Sequence, residues 1–399
     1  MCIDGSEPDY HELAIAHGRM PFLATLIGPD GAGSSLSAAC AMPSFTNPNN
    51  LSIATGAPPA VHGICGNYFF DPDAGEEVLM NDPRFLRAPT IFAEFARDGA
   101  AVTVVTAKDK LRRLLGAGLE NRAHAICFSA EKADEATTSS NGIDDVLRRV
   151  GRPLPDVYSA ALSEFVLAAG VHLLRTERPS LMYLSLTDYV QHKYAPGTAE
   201  ADDFYSMMDG YFAALHALGA ILVITADHGM NAKSTIDGKP NVVYLQTALD
   251  TALGTGAARV ILPITDPYVA HHGALGSFAF IHLAPGADIA HAQRVLEHIP
   301  EIARVLPRAQ AAAEYELPAD RIGDLAVVAD RAAALGTEPT RHDLTALDRP
   351  LRSHGGLSEQ RVPFLMNRAI AGLPSEHKLR NFDAYWVALN HVTEPIAAR

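Results

Sequence analysis

The run Ile221-Leu222-Val223-Ile224-Thr225-Ala226-Asp227-His228-Gly229 constrains this chain more than any other stretch. Six apolar or β-branched residues follow one another without the polar alternation of a half-exposed strand. The run therefore predicts a strand buried on both faces, as in a parallel sheet covered by helices. Ligands of such sheets sit just beyond the carboxyl ends of the strands, where Asp227 and His228 fall. Both are metal-competent side chains. Taken alone, Asp-His-Gly reads equally well as a turn in which the aspartate caps the next segment.

The neighbouring sequence favours the sheet. Residues 101–106 and 180–186 are further apolar runs, and residues 202–218 form a helical pattern with an aspartate start signal. Strand, helix and strand in that order make a parallel crossover unit. The expected fold is α/β, a mostly parallel central sheet with helices on both faces. Residues 1–260 would form this core. Residues 261–345 change to a short βαββ-like pattern and read as an inserted α+β lid, and residues 346–399 return to the core. At the other end, Met1-Cys2-Ile3 looks like the last residues of a strand with almost no length, running into Asp4-Gly5.

Charge excludes several classes of partner. Lysine and arginine number 32 against 46 aspartates and glutamates, a net charge of −14. Such a chain is a poor binder of nucleic acid or of anionic membranes, and an anionic ligand would need a local source of attraction such as metal ions. The four cysteines, Cys2, Cys40, Cys65 and Cys127, form no Cys-x-x-Cys pair and read as reduced thiols of a cytoplasmic protein. No signal pattern opens the chain, and the most apolar long stretch, residues 165–174, is too short to span a bilayer. The sequence allows a homodimer without requiring one.

Other residues gather where the strands should end. Thr46 lies between Pro43 and Pro48, which fix the backbone around its hydroxyl, ahead of a segment able to start a helix and aim N–H groups at an anion. A loop rich in glycine and proline delivers Asn67. Lys108 and Lys110 follow the 101–106 strand. Asp188 and His192 are four apart, on one face if helical, and His354 precedes two glycines. Each signal is weak by itself. Together Asp4, Asp188, Asp227, His192, His228, His354 and Thr46 supply three carboxylates, three imidazoles and one hydroxyl. That donor set suits two zinc-like ions, and two ions about 4 Å apart clamp an in-line displacement at phosphorus.

The segments Cys2-Ile3-Asp4-Gly5, Pro43-Ser44-Phe45-Thr46-Asn47-Pro48-Asn49, Thr187-Asp188-Tyr189-Val190-Gln191-His192, Thr225-Ala226-Asp227-His228-Gly229-Met230 and Ser353-His354-Gly355-Gly356 together resemble the alkaline phosphatase superfamily. Within it the chain resembles the nucleotide pyrophosphatase/phosphodiesterase-like branch. Phe45 to Asn50, Thr106 to Lys110 and Pro267 to Gly273 point to those members that cleave phosphonoacetate. The resemblance implies an alkaline phosphatase-like core and two Zn²⁺ ions, one held by Asp188, His192 and His354, the other by Asp4, Asp227 and His228. Thr46 would be nucleophile and ligand, and Asn67, Lys108 and Lys110 would contact the substrate. The activity implied is hydrolysis of a small anionic phosphonate, phosphonoacetate, to acetate and phosphate through a phosphothreonine. The resemblance also implies a full strand ahead of Cys2. Its near absence predicts a frayed support for Asp4, neighbours short of a pairing partner and a weaker second zinc. A phosphodiesterase or phosphatase of the same superfamily, or a truncated inactive relative, remain the alternatives. His271 and His272 fit a substrate contact at the lid hinge as well as a packing role.

Overall fold

The structure, a computed structural model, describes residues 1–120, 122–265, 274–345, 347 and 349–393, so His271 and His272 lie outside the described residues. Ten strands carry the architecture. They are β1 (Ser34–Ala39), β2 (Val102–Thr106), β3 (Ala125–Ser129), β4 (Leu181–Ser185), β5 (Val223–Thr225), β6 (Ala258–Ile261), β7 (Phe278–Leu283), β8 (Ile302–Pro307), β9 (Leu325–Ala329) and β10 (Arg361–Met366). Strands β3, β2 and β4 lie side by side and parallel. Strands β5, β10 and β1 form a second group in which β10 runs against both neighbours. Cys2 bridges Ser185 of β4 and Thr225 of β5 in parallel, joining the two groups into one central sheet. Among its strands only β10 is antiparallel, so the sheet is mostly parallel, as the apolar runs predict.

Helices cover both faces because successive strand residues point to opposite sides. Val105 and Leu184 share one apolar cluster with the helices α3 (Ala160–Thr176) and α5 (Ala199–Ala217). Val102, Val104 and Tyr183 turn to the other face, against Leu51 and Ile53 of α1 (Thr46–Thr55). A separate antiparallel sheet, in the order β6, β7, β9, β8, packs into this second cluster. Helix α2 (Asp109–Leu115) follows β2, and α4 (Tyr189–Lys193) follows β4. Among the described residues no helix is long and apolar enough to cross a membrane.

Residues Met1 to Ile3 are not frayed. The Cys2 N–H donates to the Leu184 carbonyl at 2.8 Å, and the Ile3 N–H donates to that of Thr225 at 2.8 Å. The Leu186 and Thr225 N–H groups donate to the carbonyls of Cys2 and Met1 at 3.0 Å. Three residues thus pair on both sides, and Asp4 is 6% exposed, which corrects the expectation of a loose support. At the end of the sheet away from Asp4 a cavity of about 560 Å³ opens beside Met1 between β4 and β5, lined by Leu181, Met182, Ala220 and Leu222 among others. The predicted strand at 221–226 is regular only over Val223–Thr225, and Ile221, which also lines that cavity, is 49% exposed.

Candidate metal centre and its pocket

Four side-chain groups emerge at the carboxyl ends of neighbouring parallel segments: Asp4 after the stub, Lys108 after β2, Asp188 after β4, and Asp227 with His228 after β5. Gly5 lets the first turn be this tight. Its φ is +70°, and a Cβ there would lie 3.2 Å from the Asp188 Cβ and 3.2 Å from that of Gln191. Thr46 is the first residue of α1, one turn earlier than the sequence suggested, so its hydroxyl sits at the helix N-terminus and 3.4 Å from His228 Nε2.

The three imidazoles are oriented alike. Nδ1–H of His192 donates to the Arg352 carbonyl at 2.8 Å, that of His228 to Gly229 at 2.9 Å and that of His354 to Ser44 at 2.8 Å. Each Nε2 is thereby left as an acceptor, the arrangement in which an outer carbonyl fixes the tautomer of a metal-binding histidine. His192 Nε2 lies 2.9 Å from Asp188 Oδ2, and His228 Nε2 lies 3.3 Å from Asp4 Oδ1.

Two groups of buried donor atoms fall within 4.8 Å of one another: Asp188, His192 and His354, and Asp4, Asp188 and His228. The first is the set expected for one zinc. The second takes in Asp188, whereas Asp227 stands just outside it, its Oδ2 3.7 Å from His228 Nε2. Asp227 Oδ1 accepts the N–H groups of Gly5 and His228.

The electrostatics demand a cation. Burial, then the Asp188 and Asp227 charges, push the Asp4 carboxyl well above its usual range. Burial raises Asp227 to about 7. Burial and the two neighbouring imidazoles drive His354 far below the ordinary histidine value. Asp4 Oδ1 is buried without a hydrogen-bond partner. Carboxylates that resist ionisation beside the neutral His354 imidazole are what a dication relieves, displacing their protons. The donor set therefore fits a bound metal cation.

Beside these groups lies a cavity of about 40 Å³, lined by Asp4, Thr46, Asn67, Lys108, Lys110, Asp188 and His354. All three expected substrate contacts thus face the nucleophile candidate. Asn67 Oδ1 accepts the Asn47 N–H at 3.0 Å. Burial first, then Lys108, lowers Lys110 to about 8. Sequence reasoning missed Leu111, Leu186 and Ile264, which also line it. Apolar residues carry no chemical signal, and only the fold brings them here. It also missed Asn50, whose Nδ2 donates to Asp227 Oδ2 at 3.0 Å. Its place one turn after Thr46 on the same helix was the available clue.

A model of the type I phosphodiesterase/nucleotide pyrophosphatase family matches residues 1–357. Phosphonoacetate hydrolase from Sinorhizobium meliloti 1021, solved with phosphonoacetate and with phosphonoformate, is 58% identical with a TM-score of 0.93, over 97% of this chain and 93% of that one. An ectonucleotide pyrophosphatase/phosphodiesterase of Caenorhabditis elegans is 28% identical over 206 residues, and the match spans only 23% of that protein's length. Murine ectonucleotide pyrophosphatase/phosphodiesterase 5, at 18% identity and a TM-score of 0.65, shares the fold.

Proposed function

This chain belongs to the type I phosphodiesterase/nucleotide pyrophosphatase family, and on that premise we propose that it hydrolyses the carbon–phosphorus bond of phosphonoacetate to acetate and phosphate. The observation that carries this reading is the 58% identity to an enzyme solved with phosphonoacetate, together with two lysines facing the Thr46 cavity. A phosphodiester has no need of paired lysines beyond the phosphoryl group. A substrate with a carboxylate two bonds from phosphorus does.

The proximity of these side chains supports the following roles. Asp188, His192 and His354 would hold one zinc, and Asp4, Asp227 and His228 the other, with Thr46 alongside. When bound, the ions would lower the pKa of the attacking hydroxyl and neutralise charge on the phosphonyl oxygens and the departing group. Thr46 Oγ1 attacks phosphorus, its O–P bond forms, and the P–C bond breaks with its electron pair passing to carbon. That carbanion is conjugated with the carboxylate as an enolate, and Lys108 and Lys110 face its growing charge. The proton given up by the Thr46 hydroxyl passes to solvent, carbon takes a proton from solvent, and acetate leaves. Water attacks the phosphothreonine, the Thr46 O–P bond breaks, and phosphate is released. Asn67 orients a phosphonyl oxygen. The small cavity keeps bulk water and large leaving groups away.

Phosphate release from phosphonoacetate, set against release from a nitrophenyl phosphodiester under the same zinc supply, tests the substrate. A diester preferred by orders of magnitude would overturn it. Thr46→Ala should abolish turnover and leave folding intact.

A further inference from the structure

The Thr46 helix and the Asp227 carboxylate meet through one side chain. Asn50 is fully buried on α1, one turn beyond Thr46. Its Nδ2 donates to the Thr46 carbonyl at 3.1 Å and to Asp227 Oδ2 at 3.0 Å. Its Oδ1 accepts the Tyr183 hydroxyl at 2.8 Å and the Ser185 hydroxyl at 2.9 Å, both from β4. A carboxamide offers two N–H donors and two acceptor lone pairs, and all four are engaged. Two hydroxyl donors on the oxygen and a carboxylate on the nitrogen also fix which way the amide faces. Turning it over would set its carbonyl against Asp227.

We propose that Asn50 is a positioning residue that sets the spacing between the Thr46 hydroxyl and the Asp227 carboxylate. The inference rests on the roles given to Thr46 and Asp227 above. Gly5 and His228 hold Asp227 Oδ1 through their N–H groups, and Asn50 holds Oδ2. The carboxylate is thereby held at both oxygens, with Oδ2 3.7 Å from His228 Nε2. The same NH₂ group grips the first turn of α1, so the hydroxyl that attacks and the carboxylate that holds the ion beside it share one anchor. Tyr183 and Ser185 act through Asn50 and touch neither.

Zinc titration of the metal-free protein against a competing chelator reads this without substrate. Asn50→Leu keeps the heavy-atom count and branching and removes every side-chain hydrogen bond. It should weaken one of the two zinc ions about 10–100-fold, the usual effect of losing an outer-sphere partner, and leave the other unchanged. With phosphonoacetate, kcat should fall and KM should hold. Tyr183→Phe combined with Ser185→Ala frees the amide to turn and should move both readouts the same way by less, and it serves if Asn50→Leu does not fold. Two zinc ions bound as tightly as in the wild type, with kcat unchanged, would overturn the proposal, as would an equal loss at both sites. If zinc affinity falls as described but the wild type does not cleave phosphonoacetate, the substrate reading fails and the positioning role stands.

Discussion

The imidazoles of His228 and His354 stack face to face, with ring centroids 3.6 Å apart and planes 7° from parallel. They come from different elements 126 positions apart in sequence, His228 after β5 and His354 before β10. Burial and the neighbouring imidazoles hold the His354 ring neutral, as a metal ligand must be. Substituting one should reveal the arrangement. His354→Ala is expected to reduce zinc binding from two ions to one, with the metal-free protein still folded. Calorimetric titration checks the stoichiometry, and two tight ions in the variant would refute the assignment.

Lys110 makes the reaction sensitive to alkali. Its ammonium is charged below about 8 and neutral above, because burial and Lys108 oppose the charge. A carboxylate substrate needs the charged form. KM for phosphonoacetate should therefore rise above that pH, by at most about tenfold per pH unit, while Lys110→Arg, which stays charged, should flatten the rise. A KM independent of pH from 7 to 10 in the wild type would rule out the contact.

Two buried histidines and one half-buried one, all away from the metal centre, make the fold sensitive to acid. Burial lowers His62 to about 3, and His11 and His282 to about 4. His62 Nδ1 accepts the Ile64 N–H, so the ring is neutral with its proton on Nε2, beside Ser52 Oγ. Below pH about 6.5 the unfolded chain takes up protons that the folded chain refuses. Their contribution is complete above that pH and is lost progressively as pH falls toward 4. Melting temperatures should drop over this window, and His62→Gln should make the drop shallower.

Gly5→Ala tests the tight turn after the stub. The left-handed φ and the approach to Asp188 and Gln191 both penalise a Cβ, for a destabilisation of about 1–3 kcal/mol. Because the clash is with Asp188 itself, zinc affinity should fall with stability. Denaturant unfolding and zinc titration of the same variant measure the two effects.

Lys233 and Glu359 form a fully buried ion pair at 2.9 Å. Glu359 also accepts the Gly356 N–H, pinning the loop that carries His354. Lys233→Met alone strands a buried carboxylate and should cost about 3–5 kcal/mol, whereas Lys233→Met with Glu359→Gln should recover part of it. A double variant no better than the single one would mean that the pair is not coupled.

Much of the site was legible because strand ends announce themselves. An apolar run followed at once by Asp227 and His228, or by Lys108, places a polar side chain at a known edge of a parallel sheet. Asp188 and His192 were legible through helical spacing. What stayed hidden depends on long-range packing. Nothing near Thr46 in sequence tells that its helix begins at Thr46 itself, or that the Asn50 amide will meet hydroxyls from Tyr183 and Ser185. The pairing of Met1 to Ile3 on both sides was also unreadable, since three residues carry no periodicity. The length of β5 was overestimated for a related reason. Apolar content measures burial, and a strand also needs a neighbour to pair with.

The seam between β4 and β5 has a thermodynamic consequence. A sheet ordinarily frays from its rims, yet among the described residues this one is stitched at its middle by Met1 to Ile3, with a cavity beside them. Asp188 and His192 stand on one side of that seam, Asp227 and His228 on the other, and Asp4 on the stitch itself. A cation gripped across it acts as a clasp, and ligand and fold then share one equilibrium. At a hundred times its dissociation constant such an ion adds about 2.7 kcal/mol of stability by mass action, and whatever loosens the seam must weaken the grip by the same free energy.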